Sequence, residues 1–147
     1  MAAHLTMDGY RNQEDYDGLM ESGMAFQAKG SAYSLADLFG GRDPARRYEE
    51  GTYVTLRLTA SMYHRFHAPY DCRVEHVTYL SGDTWNVNPI ALARVERLFC
   101  RNERAAMRLR LAAGDHVVSL VAVAAILVAG IRFSFLDVPR RLRHAGR

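Results

Sequence analysis

Val117-Val118-Ser119-Leu120-Val121-Ala122-Val123-Ala124-Ala125-Ile126-Leu127-Val128-Ala129-Gly130-Ile131 is the longest apolar run of the chain, interrupted only by Ser119 and bounded by Asp115-His116 and by Arg132. How this run folds decides the class of the whole molecule. A helix that crosses a bilayer needs about 20 apolar residues. The run is short for that, and its valines, with Gly130 near the end, suit buried strands. The expectation is one strand over 117–124 and a second over 127–135.

Upstream of the run, the pattern stays that of short strands. Thr52 to Leu58 alternates Tyr53, Thr55 and Arg57 with Val54, Leu56 and Leu58, the period of a half-buried strand. Val74–Leu80 and Ala105–Leu111 read as strands, and a further one begins at Met24. Ser34-Leu35-Ala36-Asp37-Leu38-Phe39 predicts a short helix capped by Ser34 and stopped by Gly40-Gly41. Residues 1–23 hold the turn signals Asp8-Gly9 and Asp17-Gly18 without a sustained period, so irregular entry structure is expected there. The basic stretch Pro139 to Arg147 reads as a solvated tail. Together these elements predict a mainly β (α+β) fold, an antiparallel sandwich or barrel-like domain with short helices.

The 147 residues match one domain, and 49% hydrophobic with 24% charged content is that of a globular protein. Cys72 and Cys100 lack Cys-x-x-Cys spacing and no secretory leader opens the chain, which predicts a reducing, cytosolic-side location. A net charge of +3 and a pI near 9.1 fit an anionic partner, nucleic acid or acidic lipid. No nucleic-acid motif accompanies the charge.

Three polar clusters hold the chemistry. Met62-Tyr63-His64-Arg65-Phe66-His67-Ala68-Pro69 places two imidazoles three apart, neighbours if the segment forms one helical turn closed by Pro69. Structural histidines, a metal pair and an acid/base pair all remain open for it, although no complete zinc pattern is present. Ser81 to Pro89 reads as a turn carrying the lone Trp85. Leu98 to Arg104 reads as a strand edge with an ion pair.

In order and spacing these clusters resemble the phosphatidylserine decarboxylase family. The resemblance rests on Gln27-Ala28-Lys29-Gly30 with Tyr33-Ser34-Leu35, Tyr63-His64-Arg65-x-His67-x-Pro69, Gly82-Asp83 with Val87-Asn88-Pro89, and Leu98-Phe99-x-Arg101-Asn102-Glu103-Arg104. Val121–Ile131 and Phe133-Ser134-Phe135-Leu136-Asp137 are similar to the family's paired core strands. The likeness covers about 24–139, leaving 1–23 as a poorly matching segment and 140–147 as the basic tail.

The resemblance implies a pyruvoyl-dependent carboxy-lyase made as a zymogen. It would convert phosphatidylserine to phosphatidylethanolamine and CO2 in phospholipid biosynthesis. His64 would reprotonate the substrate α-carbon. His67, paired with an upstream Asp for which Asp8 in Met7-Asp8-Gly9 is preferred over Asp17, would activate the Ser of a Gly-Ser-Thr motif that becomes the pyruvoyl group. Tyr63, Asp83, Val87 and Asn88 would bind substrate, and no metal is called for. No Gly-Ser-Thr occurs in the 147 residues, so the fold is expected to be incomplete at its C-terminus and no pyruvoyl group can form in this chain. The implied partners are the phosphatidylserine-bearing anionic membrane surface, met peripherally on the cytoplasmic side, a complementing C-terminal (α) chain, and a second copy in a homodimer of the complete enzyme. Nucleic acid is not expected. The alternative is a non-catalytic anionic-phospholipid-binding protein derived from the family.

Overall fold

The computed structural model describes residues 16–19, 24–26, 32–48, 51–56, 58 and 63–136. In chain order the elements are β1 (Tyr16–Leu19), β2 (Met24–Phe26), β3 (Ala32–Ser34), α1 (Leu35–Phe39), α2 (Arg42–Ala45), a 3-10 turn (Arg46–Tyr48), β4 (Thr52–Thr55), β5 (Cys72–Leu80), α3 (Pro89–Arg94), α4 (Leu98–Arg101), β6 (Arg104–Leu111) and β7 (Val117–Val123). β1 pairs with β4 and β2 with β3, while β6 lies between β5 and β7, all antiparallel. The fold is α+β, and no barrel closes among the described strands.

Helix α1 forms where the sequence signals it. Ser34 Oγ accepts from Asp37 N at 3.0 Å, and Gly40 ends the helix at φ 74°, a left-handed turn that glycine adopts without strain. Leu35, Leu38 and Phe39 on its inner side pack with Tyr33, Ala45 and Ala106 into the core, against which Tyr48, Tyr53, Phe99 and Val121 lean. Burying each large side chain contributes about 1.5–3 kcal/mol, so α1 is held on the sheet chiefly by three residues. Tyr33 meets Phe99 edge-on at 5.8 Å, and Phe39 stacks on Tyr48 at 5.5 Å.

Several expectations need correction. The apolar run forms β7 as far as Val123, but the second strand over 127–135 does not form. The chain turns back at an Ala125–Val128 bridge with Leu127 at φ 73°, and Gly130 at φ 81° leaves the extended region. The amides of Gly130 and Ile131 bond the carboxylate of Glu103 instead of joining a ladder. Within 1–23, expected to be irregular, Tyr16–Leu19 is a strand, because β4 offers it a partner. The expected strand edge over 98–104 begins as helix α4, and β4 stops at Thr55. In β4 the half-buried side chains are Tyr53 and Thr55, whereas Val54, and Leu56 just beyond the strand, are exposed. Among the described residues no helix is long and apolar enough to cross a membrane.

Candidate active site

The start of β6 is a polar tripeptide sunk in the protein: Asn102, Glu103 and Arg104 are 0%, 5% and 6% exposed. Buried polar groups are tolerated only when bonded, and each of these ties down a different segment. Asn102 Nδ2 donates to Trp85 O at 2.9 Å and to Ala124 O at 2.8 Å, while its Oδ1 accepts from Trp85 N at 2.8 Å. Glu103 accepts from the Tyr79 hydroxyl, from Ile131 N at 2.9 Å and from Gly130 N at 3.1 Å. Arg104 spreads its planar fork over the carbonyls of Leu38, Asn102 and Asp37 at 2.8, 3.0 and 2.7 Å. Two of those carbonyls belong to α1 near its C-terminal end, where a cation is favoured. Burial lowers the basicity of this guanidinium. Sequence reasoning gave the three residues no role beyond an ion pair. A run of polar side chains entering an apolar strand is the signal that marks them.

The tripeptide fixes the 82–88 loop. Asp83 forms a bridge with Asn102, its N–H bonding Arg101 O at 2.9 Å and its carbonyl accepting from Glu103 N at 2.8 Å. Only glycine fits before it, since a Cβ at Gly82 would lie 2.3 Å from Arg101 O. Asp83 Oδ2 accepts from Trp85 Nε1 at 3.1 Å. Asn88 caps α3, its Oδ1 accepting from Ala91 N at 2.8 Å with Pro89 in the first turn, so its side chain is committed to helix initiation. Val87 is half-buried beside it.

The histidines lie on an exposed loop. Residues 63–68 form neither helix nor strand, so the one-turn helix that would align them is absent. Tyr63 and His67 nevertheless meet: Tyr63 Oη and His67 Nε2 share a hydrogen bond of 2.8 Å, and the rings stack at 5.6 Å with 5° between their planes. His64 is exposed on the same loop. Phe66 anchors the loop by packing edge-on against Phe133 at 5.9 Å, and Phe133 in turn touches Phe135. Glu103, by holding Gly130 and Ile131, supports the segment on which Phe66 rests.

The structure thus gathers the sequence-predicted residues into two groups, Tyr63 with His67 and Asp83 with the Asn102 platform. The described contacts of His67 go to Tyr63 and those of Asp83 go to Trp85 and the 101–103 backbone, so no described contact joins the two. Asp8 lies outside the described residues.

The arrangement can move protons. An imidazole hydrogen-bonded to a phenol, on a solvent-facing loop, is a group that can both give and take a proton. The Cys100 thiol, the Tyr33 phenol and the Ser34 and Ser119 hydroxyls are not activated as nucleophiles. Burial pushes the Cys100 thiol up to about 11 and the Tyr33 phenol up to about 12. Ser34 Oγ is engaged in capping and Ser119 Oγ bonds Tyr48 Oη at 2.8 Å. No Gly-Ser-Thr motif occurs within the 147 residues. Among the described residues no cluster of three His, Cys, Asp or Glu is arranged to hold a metal ion.

Comparison with known proteins places these features in a family. Residues 14–144 match the family model described as phosphatidylserine decarboxylase, a span that includes the histidine loop, the 82–88 loop and the buried tripeptide. The chain is 40% identical over 115 residues to the phosphatidylserine decarboxylase proenzyme of Psychromonas ingrahamii, covering 78% of this chain and 40% of that protein. It is 41% identical to the proenzyme of Idiomarina loihiensis (78% of this chain, 39% of that protein) and 44% identical over 88 residues to that of Chromobacterium violaceum (59% and 31%). The chain spans about two fifths of the length of the first two relatives. A family-model match over most of the chain, with relatives 40% identical across 78% of it, makes this protein a member of the phosphatidylserine decarboxylase family.

Proposed function

We propose that this chain supplies the proton-handling part of an enzyme that converts phosphatidylserine to phosphatidylethanolamine and CO2, and that it works only with a C-terminal chain carrying a Gly-Ser-Thr segment. The observation that carries the proposal is the Tyr63–His67 pair, held on an exposed loop beside His64. His64 donates the proton that the substrate α-carbon takes up. His67 takes the hydroxyl proton of the processing Ser on Nε2, the nitrogen that Tyr63 holds here and yields to the Ser, with Asp8 as the proposed carboxylate partner of Nδ1. The electron sink for decarboxylation belongs to the pyruvoyl group of the complementing chain; none of the side chains here offers an equivalent electrophilic carbonyl.

The test is reconstitution. Expressed alone, the chain should keep the mass of its uncleaved 147 residues and release no CO2 from labelled phosphatidylserine. Co-expression with a C-terminal chain that carries a Gly-Ser-Thr segment should restore release, and a Ser→Ala change in that segment should abolish it. His64→Ala and His67→Ala should each abolish the restored activity, but only His67→Ala should also block cleavage of a fused chain. Activity of the chain by itself, with nothing added, refutes the proposal. The complete enzyme is proposed to be a homodimer bound peripherally at the cytoplasmic face of the membrane. A non-catalytic anionic-phospholipid binder is the second reading, favoured by the arginines crowded around Glu75 on the sheet.

A further inference from the structure

Strand β5 is irregular between Val74 and His76. Val74 stands opposite Leu109 and His76 opposite Arg108, which makes Glu75 the extra residue of a bulge. Its carboxylate is drawn into a cluster of guanidinium groups. Oε1 lies 2.5 Å from Arg110 Nε and 3.6 Å from Arg73 Nη2, and Oε2 lies 3.2 Å from Arg108 Nε. Arg73 and Arg110 are direct cross-strand partners, a like-charge pairing that costs stability unless an anion sits between them. Arg47 joins these residues and Val74 around an open depression of about 460 Å³.

One carboxylate does not neutralise this site. Asp115 Oδ1 also reaches Arg110 Nη1 at 3.1 Å, so among the described residues four guanidiniums, those of Arg47, Arg73, Arg108 and Arg110, face two carboxylates, those of Glu75 and Asp115. Arg108 Nε is shut off from solvent without a hydrogen-bond partner, its approach to Glu75 being an ion pair only. Arg73 is 77% exposed and free to turn toward a ligand. Arginine forks match tetrahedral oxyanions in shape and charge.

We infer that this depression binds a phosphoryl group, a dianionic or monoanionic phosphate ester whose oxygens meet Arg73, Arg108 and Arg47 while Glu75 keeps Arg108 and Arg110 in place. The volume exceeds that of a bare phosphate, which leaves room for its substituent. The shared chemistry is that of a phospholipid headgroup or a soluble phosphomonoester. Nothing in the site involves the histidine loop, so its occupancy is independent of decarboxylation.

The test is titration of the full chain with inorganic phosphate at constant ionic strength, following the arginine Nε–H resonances by NMR. Saturable shifts of Arg73 and Arg108 are expected. Arg73→Gln and Arg47→Gln, both at exposed positions, should each weaken binding about three- to tenfold. Glu75→Gln keeps an amide oxygen that can still accept from Arg110 Nε while removing the competing negative charge, so it should tighten binding by a similar factor. Two further arms identify the source: flotation with phosphatidylcholine vesicles with and without phosphatidic acid, and competition by glycerol 3-phosphate. Flotation that needs phosphatidic acid and is lost in Arg73→Gln assigns the site to lipid; competition without flotation assigns it to a soluble ester. Shifts that chloride reproduces, or phosphate affinity unchanged in both arginine variants, overturn the inference. If Glu75→Gln does not fold, the two exposed variants still decide.

Discussion

Replacing Asn102 by alanine should be among the most damaging single changes in the described part of the molecule. The side chain is fully buried and makes three hydrogen bonds of 2.8–2.9 Å, two to Trp85 and one to Ala124. Alanine strands Trp85 N, Trp85 O and Ala124 O in a site that water does not reach freely. Each unmade bond costs about 1–3 kcal/mol. Taking the lower part of that range for the Trp85 groups, which lie nearer solvent, the loss sums to about 3–5 kcal/mol. With a urea dependence of about 2 kcal/mol per molar, the unfolding midpoint should fall by about 1.5–2.5 M. Trp85 is the single tryptophan of the chain, so its fluorescence reports on the loop that Asn102 holds. The folded Asn102→Ala protein should emit further to the red than the parent, because Trp85, already 46% exposed, is released. Should the variant be too unstable to purify, Asn102→Asp tests the same point. It keeps the acceptor for Trp85 N but sets a carboxylate oxygen against two carbonyls, so it should be weaker near pH 7 than at pH 4. An alanine variant that unfolds within about 0.5 M urea of the parent, with unchanged emission, would show that Asn102 does not brace the loop.

Glu103→Gln presents an amide donor where the carboxylate accepts from Tyr79, Gly130 and Ile131, so about 1–3 kcal/mol should be lost and the Gly130 and Ile131 amides should exchange faster by hydrogen-exchange NMR. Tyr63→Phe removes only an exposed hydrogen bond and should change stability by less than about 0.5 kcal/mol, while the His67 Nε2 nitrogen shift moves in NMR spectra. The Cys100 thiol, raised by burial from 9.0 to about 11, should resist alkylation at pH 8 in the native state; because the unfolded thiol ionises first, stability should fall as pH rises from about 9 toward 11, and Cys100→Ala should reduce that slope. Arg110, with Arg108 and Arg73, holds the Glu75 carboxyl below the ordinary 4.5. Its contribution is present above that value and lost as pH falls through the lowered one, so Glu75→Gln should flatten the acid limb of a pH–stability profile.

What the sequence revealed follows from local rules. Ser34 and Gly40-Gly41 mark the ends of α1 because capping involves residues within one turn, and β5, β6 and β7 appear where alternation or apolar runs persist over seven or more residues. The strand expected over 127–135 failed because its apolar composition says nothing about Glu103, whose carboxylate captures two amides of that segment from 27 and 28 residues away. β1 was missed for the matching reason: four residues with a weak pattern become a strand only when β4 is supplied. At the site, His64 and His67 stood out by residue type and spacing, and Tyr63 joined them through the family resemblance. Asn102, Glu103 and Arg104 stood in the same resemblance, but their bracing role was not legible. Asn102, Glu103 and Arg104 act through backbone groups of Trp85, Ala124, Gly130, Ile131, Asp37 and Leu38, and side-chain identities do not reveal which backbone groups come near. The arginine site was legible only as net charge, since the bulge at Glu75 is what collects Arg73, Arg108 and Arg110 at one point.

The buried tripeptide also sets an order of events during synthesis. Arg104 completes α1 from 66 and 67 residues downstream, so until it is made the Leu38 carbonyl lacks this donor and the Asp37 carbonyl has only the long 3.3 Å bond from Gly40 N. At about 5–20 residues per second that wait lasts several seconds, far longer than a helix of five residues takes to form and melt. Helix α1 therefore lacks this brace until β6 is made. Once it is, one hairpin-sized stretch captures α1, the 82–88 loop and the 130–131 segment together, which turns a gradual collapse into a late, concerted docking.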